Sequence, residues 1–359
     1  MVQAKALIKA EQMNGTYSIG VDLGGTNLRI ASYAGGVDFL ESIVLPTRLS
    51  EGPDCVVRDM CEGIDSLRSK DNGGRRLVGI GIGSPGPMQL PEGVLHNPPN
   101  LPGWDRFDLR RAIESELRTS VHVEGDANLA ALAEQKLGAG KMHGVDSLCV
   151  LTLGTGVGSG LVLDGRIWHG ATGMGGEAGH IIVQTVEGAP CGCGGCGCLE
   201  QYASASAVVR MARERMSDSV PATAHEVALL ARSGDSQAAS VFESVGHALA
   251  IALTSLINTL NLPLYLVGGG VCDAWDLLAP TMFRVLRERS YIYRLTEPGV
   301  LEPAGLEANK TYILGARLGP AAGLLGACLL PYQAKAQEAG RTEDTSCDRR
   351  QDYLREQVA

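Results

Sequence analysis

Between Gly173 and Tyr202 the sequence GMGGEAGHIIVQTVEGAPCGCGGCGCLEQY sets one His and four Cys among glycines, flanked by Glu177 and Glu200. His180, Cys191, Cys193 and Cys198 are one imidazole and three thiolates, the donor set of a tetrahedral zinc site, and the glycines let the backbone turn the sulfurs inward. Four protein ligands leave no position for water or substrate, so the metal is expected to be structural. Cys196 is a fifth thiol, and spacing alone does not decide whether it joins. Redox or buried cysteines, or a disulfide, are the alternatives.

A second set of residues suits phosphate. In YSIGVDLGGTNLRIASYAGG, residues 17–36, two apolar runs flank Gly24-Gly25 as strand, turn and strand. The tip offers the backbone N–H groups of Gly24, Gly25 and Thr26 and the Thr26 hydroxyl, while Asp22 at the strand end could hold hydrated magnesium. An ordinary hairpin turn with a solvated Asp is the bland reading. The run SLCVLTLGTGVGSGLVLDGRIWHG, residues 147–170, repeats this unit around Gly154, Thr155 and Gly156. Two such turns could hold successive phosphates of one nucleotide, and no Walker A pattern offers another route. LPLYLVGGGV reads as a buried strand entering a turn at Gly268, Gly269 and Gly270, where a flat base could lie against backbone.

The elements between these motifs follow from periodicity. Val56, Val57, Met60, Ile64 and Leu67 predict a helix over 52–69, and LVGIGIGSPGP predicts a buried strand. Its Gly81, Gly83 and Gly86 fit a dinucleotide fingerprint, but PMQLPEGV follows, and prolines cannot open the helix that motif requires. Residues 93–110 form a polar, proline-rich loop with Asn97 and Asn100, a shaped ligand lip or a plain surface loop. A helix is expected over 108–118, a short strand over 121–123, and then Asp126 as N-cap of ANLAALAEQKLG. Helices are expected over most of 205–260 and over 274–289, a strand at ILGA, and a closing helix in LGPAAGLLGACLL.

Composition bounds the partners. The 359 residues are 45% hydrophobic and 20% charged, enough for two globular cores. A net charge of −9 speaks against a nucleic-acid or anionic-membrane surface and favours a small-molecule partner. The opening MVQAKALIKAEQMNG lacks a leader's apolar core, and no stretch supplies about 20 consecutive apolar residues, so a soluble cytoplasmic chain is expected. Cys55, Cys61, Cys149, Cys272, Cys328 and Cys347 are scattered and read as reduced thiols. The 47 glycines point to tight turns and close backbone approaches to a ligand.

Together these motifs resemble the ROK family of sugar kinases and repressors, within the actin-like ATPase (ribonuclease H-like) fold. The resemblance covers roughly residues 17–330, and its most specific element is H-x10-C-x-C-G-x-x-G-C-x-E from His180 to Glu200. By resemblance, DLGGTN (Asp22 to Asn27) and LGTGVGSG are the phosphate motifs and VGGGV the adenosine motif. SPG with Gly86, NPPNLPGW with Asn97 and Asn100, DAN with Asp126, GGEAGH with Glu177 and His180, and CLEQYAS with Glu200 line a hexose pocket. The resemblance implies an α/β protein of two lobes around a cleft: residues 1–124 completed by the closing helix near 317–332, residues 125–316 with the zinc loop, and a charged tail over 333–359, exposed or disordered.

It also implies ATP, magnesium and structural zinc. Asp126 would serve as base toward a sugar 6-hydroxyl, and Glu177, His180 and Glu200 would contact sugar hydroxyls. Glucose is the leading substrate, with N-acetylmannosamine, fructose and allose as alternatives, and a homodimer or dimer of dimers is implied. The family usually has Asn before the catalytic Asp, where this chain has Gly125, so one sugar contact is missing unless Asn97 or Asn100 replaces it. A non-catalytic sugar sensor is the rival reading. The repressors carry a helix-turn-helix of three helices at roughly ten residues each, more than the about sixteen residues before the first strand provide.

Overall fold

The computed structural model describes residues 13, 15–70, 72–98, 100–216, 221–300 and 305–338. The leader reading at 1–15 therefore falls almost wholly outside the described residues, as do Cys347 and the tail beyond residue 338. Two units are separable. One runs to Leu129 and takes up the chain again at Gly323, and the other spans Ala130–Ala322.

The first unit is built on a five-stranded sheet. Strand β1 (Thr16–Leu23) turns at the glycine tip into β2 (Asn27–Tyr33), and β3 (Glu41–Pro46) follows. Helix α1 (Pro53–Arg68) starts with proline, whose missing N–H costs nothing in a first turn. Its Val56, Met60, Ile64 and Leu67 are wholly buried in a cluster with Leu28 and Ile30 of the sheet. Strand β4 (Arg76–Ser84) is the buried run expected from LVGIGIGS, and the chain then enters the small pair β5 (Met88–Gln89) and β6 (Val94–Leu95) instead of a helix. Helix α2 (Leu109–Leu117), capped by Asp108 accepting from Arg111 N–H, leads to β7 (Val121–Gly125). The sheet order is β3-β2-β1-β4-β7, antiparallel across the hairpin strands and parallel from β1 to β7.

Helix α3 (Asp126–Lys136) departs from expectation at its start. Asp126 is its first helical residue, not a flanking N-cap, and its Oδ1 accepts from the adjacent Ala127 N–H at 2.6 Å. A closing helix over 322–338 returns to the first unit. A Cβ on Gly20 or Gly81 would strike Cys328 or the Ala327 carbonyl of that helix, so bare backbone lets it lie directly on β1 and β4. The helix continues past the expected end at 332, and Gln333, read as the start of an exposed or disordered tail, is buried in it.

The second unit repeats the plan. After α4 (Ala139–Met142), β8 (Leu148–Leu153), β9 (Val157–Leu163) and β10 (Arg166–Ile167) form the second hairpin and its edge. Helices α5 (Glu200–Ala203), α6 (Ala205–Arg215), α7 (Ala224–Arg232) and α8 (Ser236–Leu260) precede β11 (Leu264–Gly268), α9 (Trp275–Arg289), α10 (Tyr291–Thr296) and β12 (Tyr312–Gly315). The order β10-β9-β8-β11-β12, with an antiparallel hairpin followed by parallel strands, matches the first sheet. By length and composition α8 could cross a membrane. Its Val241, Phe242, Val245, Leu249, Leu253 and Ile257 are instead buried in the core shared with Leu278, Met282 and Leu286 of α9.

Candidate functional site

In the first unit β1 carries Asp22 to the edge of the glycine tip. Gly24 N–H closes on Asn27 O at 3.0 Å, and Thr47 ties down the turn through its hydroxyl to Gly24 O (2.7 Å) and its N–H to Thr26 O (2.8 Å). Gly25, Thr26 and Asn27 are exposed, so their groups are available to a ligand. The mostly buried Asp22 is paired with Arg29, its direct partner across the hairpin. That pairing was missed from sequence, although counting outward from the Leu23–Leu28 pair finds it. A single carboxylate beside an exposed glycine turn still suits magnesium, which is held through few protein oxygens and several waters.

The expected lip is held from beneath. Trp104 is wholly buried, edge-on to Phe107 with ring centroids 5.0 Å apart, so it anchors the loop. Asn97 and Asn100 are exposed, with Asn97 at φ 43° and its N–H on Asp105 Oδ1 at 2.8 Å. The Asn100 carbonyl lies 3.6 Å from where a Cβ of Gly25 would be, which sets the lip against the glycine turn at 24–26. Gly86, at φ 93°, leaves the room that Pro98 fills. At Gly125 a Cβ would meet only Asn128 Nδ2, at 3.7 Å, so the missing side chain leaves open space. The amide bordering that space is Asn128, whose Nδ2 donates to Glu124 Oε1 at 2.9 Å and whose Oδ1 is buried without a partner.

In the second unit the turn between β8 and β9 is closed by Gly154 N–H to Gly156 O at 3.0 Å. Its outer carbonyls are fixed by α6: Gly154 O accepts from Ala205 N–H at 2.8 Å, and Thr155 O accepts from the Ser206 hydroxyl at 2.9 Å. Thr155 is exposed. Gly269, at φ 92°, packs on the backbone of Leu153 at the end of β8, so the triple-glycine turn sits beside the 154–156 turn. Gly268 is buried while Gly269 and Gly270 are exposed.

The metal set comes together. One ligand atom from each of His180, Cys191, Cys193 and Cys198 lies within 4.8 Å of all the others. Cys193 Sγ and Cys198 Sγ are 3.7 Å apart, and Cys191 Sγ is 3.6 Å from His180 Nδ1. Sulfurs bound tetrahedrally at about 2.3 Å from one zinc stand about 3.8 Å apart, whereas a disulfide needs about 2.05 Å. The donors thus fit zinc. Cys196 is exposed and outside the group. In the metal-free thiols, burial first and then the neighbouring sulfurs push Cys198 up to about 12. The Gly195 N–H, ahead of Cys191, holds Cys193 below the ordinary thiol value. A bound cation would deprotonate both.

The acidic residues of this loop are placed differently from one another. Glu177 is exposed, and His180, which offers Nδ1 to the cluster, keeps Nε2 available. Glu200 opens α5, where its Oε2 accepts from Val157 N–H at 3.0 Å and its Oε1 stands 3.9 Å from Cys191 Sγ.

A family model for the ROK family matches residues 18–333. The chain belongs to the ROK family. A glucokinase of Halalkalibacterium halodurans is 33% identical over 342 residues, 91% of this chain and 99% of that one. Among solved ROK structures, a hexokinase from Thermus thermophilus is 34% identical, with TM-score 0.74 over 90% of this chain and 100% of that one. A glucokinase from Streptomyces griseus, solved with glucose and AMPPNP, is 29% identical, with TM-score 0.68 over 88% and 98% of the two chains. Each sheet described above is thus one half of the actin-like ATPase fold, with a glycine-tipped hairpin in each half.

Proposed function

We propose that this ROK chain is an ATP-dependent hexose kinase acting on glucose, yielding glucose 6-phosphate and ADP. The observation that carries the reading is the seating of Glu200. Its carboxylate lies against the 154–156 phosphate turn and beside the metal thiolate Cys191, so nucleotide and sugar elements share one support. The likeness to the S. griseus enzyme supports the same pair of substrates.

Asp126 accepts the proton of the attacking 6-hydroxyl in this reading, and an exposed carboxylate opening a helix has room to do so. The N–H groups of Gly25, Thr26, Thr155 and Gly156 bind phosphate oxygens, those of Gly24 and Gly154 being spent on closing their turns, and Asp22 is the residue to hold magnesium, which spreads triphosphate charge when bound. Glu177, His180 and Glu200 contact sugar hydroxyls in the same reading. His180, Cys191, Cys193 and Cys198 hold zinc in a structural role. All nine cysteines among the described residues are free thiols, which supports a reducing cytoplasmic setting. A homodimer belongs to the same reading and is checked by light scattering.

ADP release, coupled to an indicator reaction, measured with glucose, N-acetylmannosamine, fructose and allose, tests the assignment. Turnover should be highest with glucose. Sugar binding without turnover on any hexose would sink it.

A further inference from the structure

We infer that Ser159 is a positioning residue that sets the sugar contact of Glu177 by clamping the turn on which Glu177 stands. The turn is Gly176-Glu177-Ala178. Glu177 has φ −78° and ψ 55°, close to the inverse γ-turn near −75° and +65°. Its closing bond runs from Ala178 N–H to Gly176 O at 2.9 Å. One such bent bond, at an exposed residue, competes poorly with water.

Ser159 supplies what the turn lacks. Its Oγ accepts from the same Ala178 N–H at 2.8 Å and donates to the same Gly176 carbonyl, so one hydroxyl joins both ends of the turn. Just past it, a Cβ on Gly179 would overlap the Val157 carbonyl, so the loop rests on bare β9 backbone. Val157 and Ser159 lie two residues apart on β9 and therefore on the same side of its pleat. The residues flanking Glu177 are thus seated on the strand that leaves the 154–156 turn, while Glu177 itself projects exposed. Ser159 is the only residue in Gly158-Ser159-Gly160 with a side chain to do this. The functional consequence, a contribution to sugar affinity, rests on the kinase reading above.

The test compares Ser159→Ala and Ser159→Gly, which remove the hydroxyl, with Ser159→Thr, which keeps it. Zinc content serves as the check on folding. Loss of the hydroxyl should raise KM for glucose about tenfold, the scale of one hydrogen bond, while KM for ATP stays within about twofold. Ser159→Thr should restore the glucose KM, and in a Glu177→Gln background Ser159→Ala should add less than about twofold. Hydrogen exchange at the Ala178 amide should quicken in the Ala and Gly variants. An unchanged glucose KM together with unchanged Ala178 exchange in either hydroxyl-free variant would overturn the inference. Wild-type protein that phosphorylates no hexose would sink the kinase reading alone, and Ala178 exchange would then decide whether Ser159 clamps the turn.

Discussion

Glu200 Oε2 accepts the N–H of Val157 at 3.0 Å, which ties α5, the helix following the His/Cys cluster, to the first residue of the strand leaving the 154–156 glycine turn. Gly156 makes this possible, because a Cβ there would occupy the place of Glu200 Oε2. Gly156→Ala should therefore expel the carboxylate and leave Val157 N–H unpaired. A hydrogen bond to a charged group is worth about 1.5–3 kcal/mol, so kcat/KM for glucose should fall about tenfold to hundredfold. Steady-state kinetics decides, and wild-type efficiency in this variant would mean that the Glu200 contact is dispensable.

Asp126→Asn separates binding from chemistry. The amide oxygen can still accept from Ala127 N–H, so the start of α3 should survive, but the side chain can no longer take a proton. Loss of a general base removes about 10²–10⁴ in rate. Calorimetry should find glucose binding retained while turnover falls on this scale. Retained turnover would remove Asp126 from the role.

What the sequence made legible was local. Both hairpins stood out because apolar runs flank glycines, and the ligand set because three thiols and a histidine crowd one loop. Contacts between distant segments left no such mark. Glu134 lies on an alanine-rich helix and shows nothing of its bonds to residues 317 and 318, and Ser159 reads as one more polar residue in a glycine turn. Asp126 was read as a flanking cap because an Asp before an apolar run has that meaning, but β7 passes into α3 without a separate cap residue. The space at Gly125 could be anticipated from the family pattern. That Asn128, rather than Asn97 or Asn100, borders it depends on the turn of α3.

If the proposed zinc is removed, the loop over residues 176–200 should loosen more than the glycine turns at 24–26 and 154–156. The cluster joins His180, just after the Glu177 turn, to Cys198, just before Glu200. Chelation, Cys191→Ser or Cys198→Ser should lower zinc content, Tm and glucose affinity while AMPPNP affinity changes little. Cys196→Ser should retain the metal, because that thiol stands outside the group. Metal analysis with thermal melts checks both, and full zinc occupancy in Cys198→Ser would refute the ligand set.

Glu134 is fully buried and accepts from three backbone N–H groups: Arg317 and Leu318 at 2.7 Å each on Oε1, and Ala139 at 3.0 Å on Oε2. It holds α3 to the start of α4 and to the segment after β12. Glu134→Gln keeps the shape but turns an NH2 group toward one of these donors. The cost should be about 2–4 kcal/mol, with Glu134→Ala at the upper end. Differential scanning calorimetry should show a lowered Tm for both, and an unchanged Tm would mean that the buried charge contributes nothing.

Two histidines give stability a pH dependence of definite sign. Burial, aided by Arg317, lowers the pKa of His143, and its Nδ1 is buried without a hydrogen-bond partner. Burial and then Arg110 lower that of His122, against the smaller opposing effects of Glu338 and Glu114. With the folded values below the unfolded 6.5, the unfolded chain binds more protons. The stabilising contribution is complete above pH 6.5 and is lost as pH falls from there through the folded values. Tm should therefore begin to decline near pH 6.5, before carboxylates titrate, and His143→Gln should make that decline shallower. A Tm that stays level from about pH 7 down to about pH 5 would contradict the assignment of both as partly buried imidazoles whose charged form is disfavoured by folding.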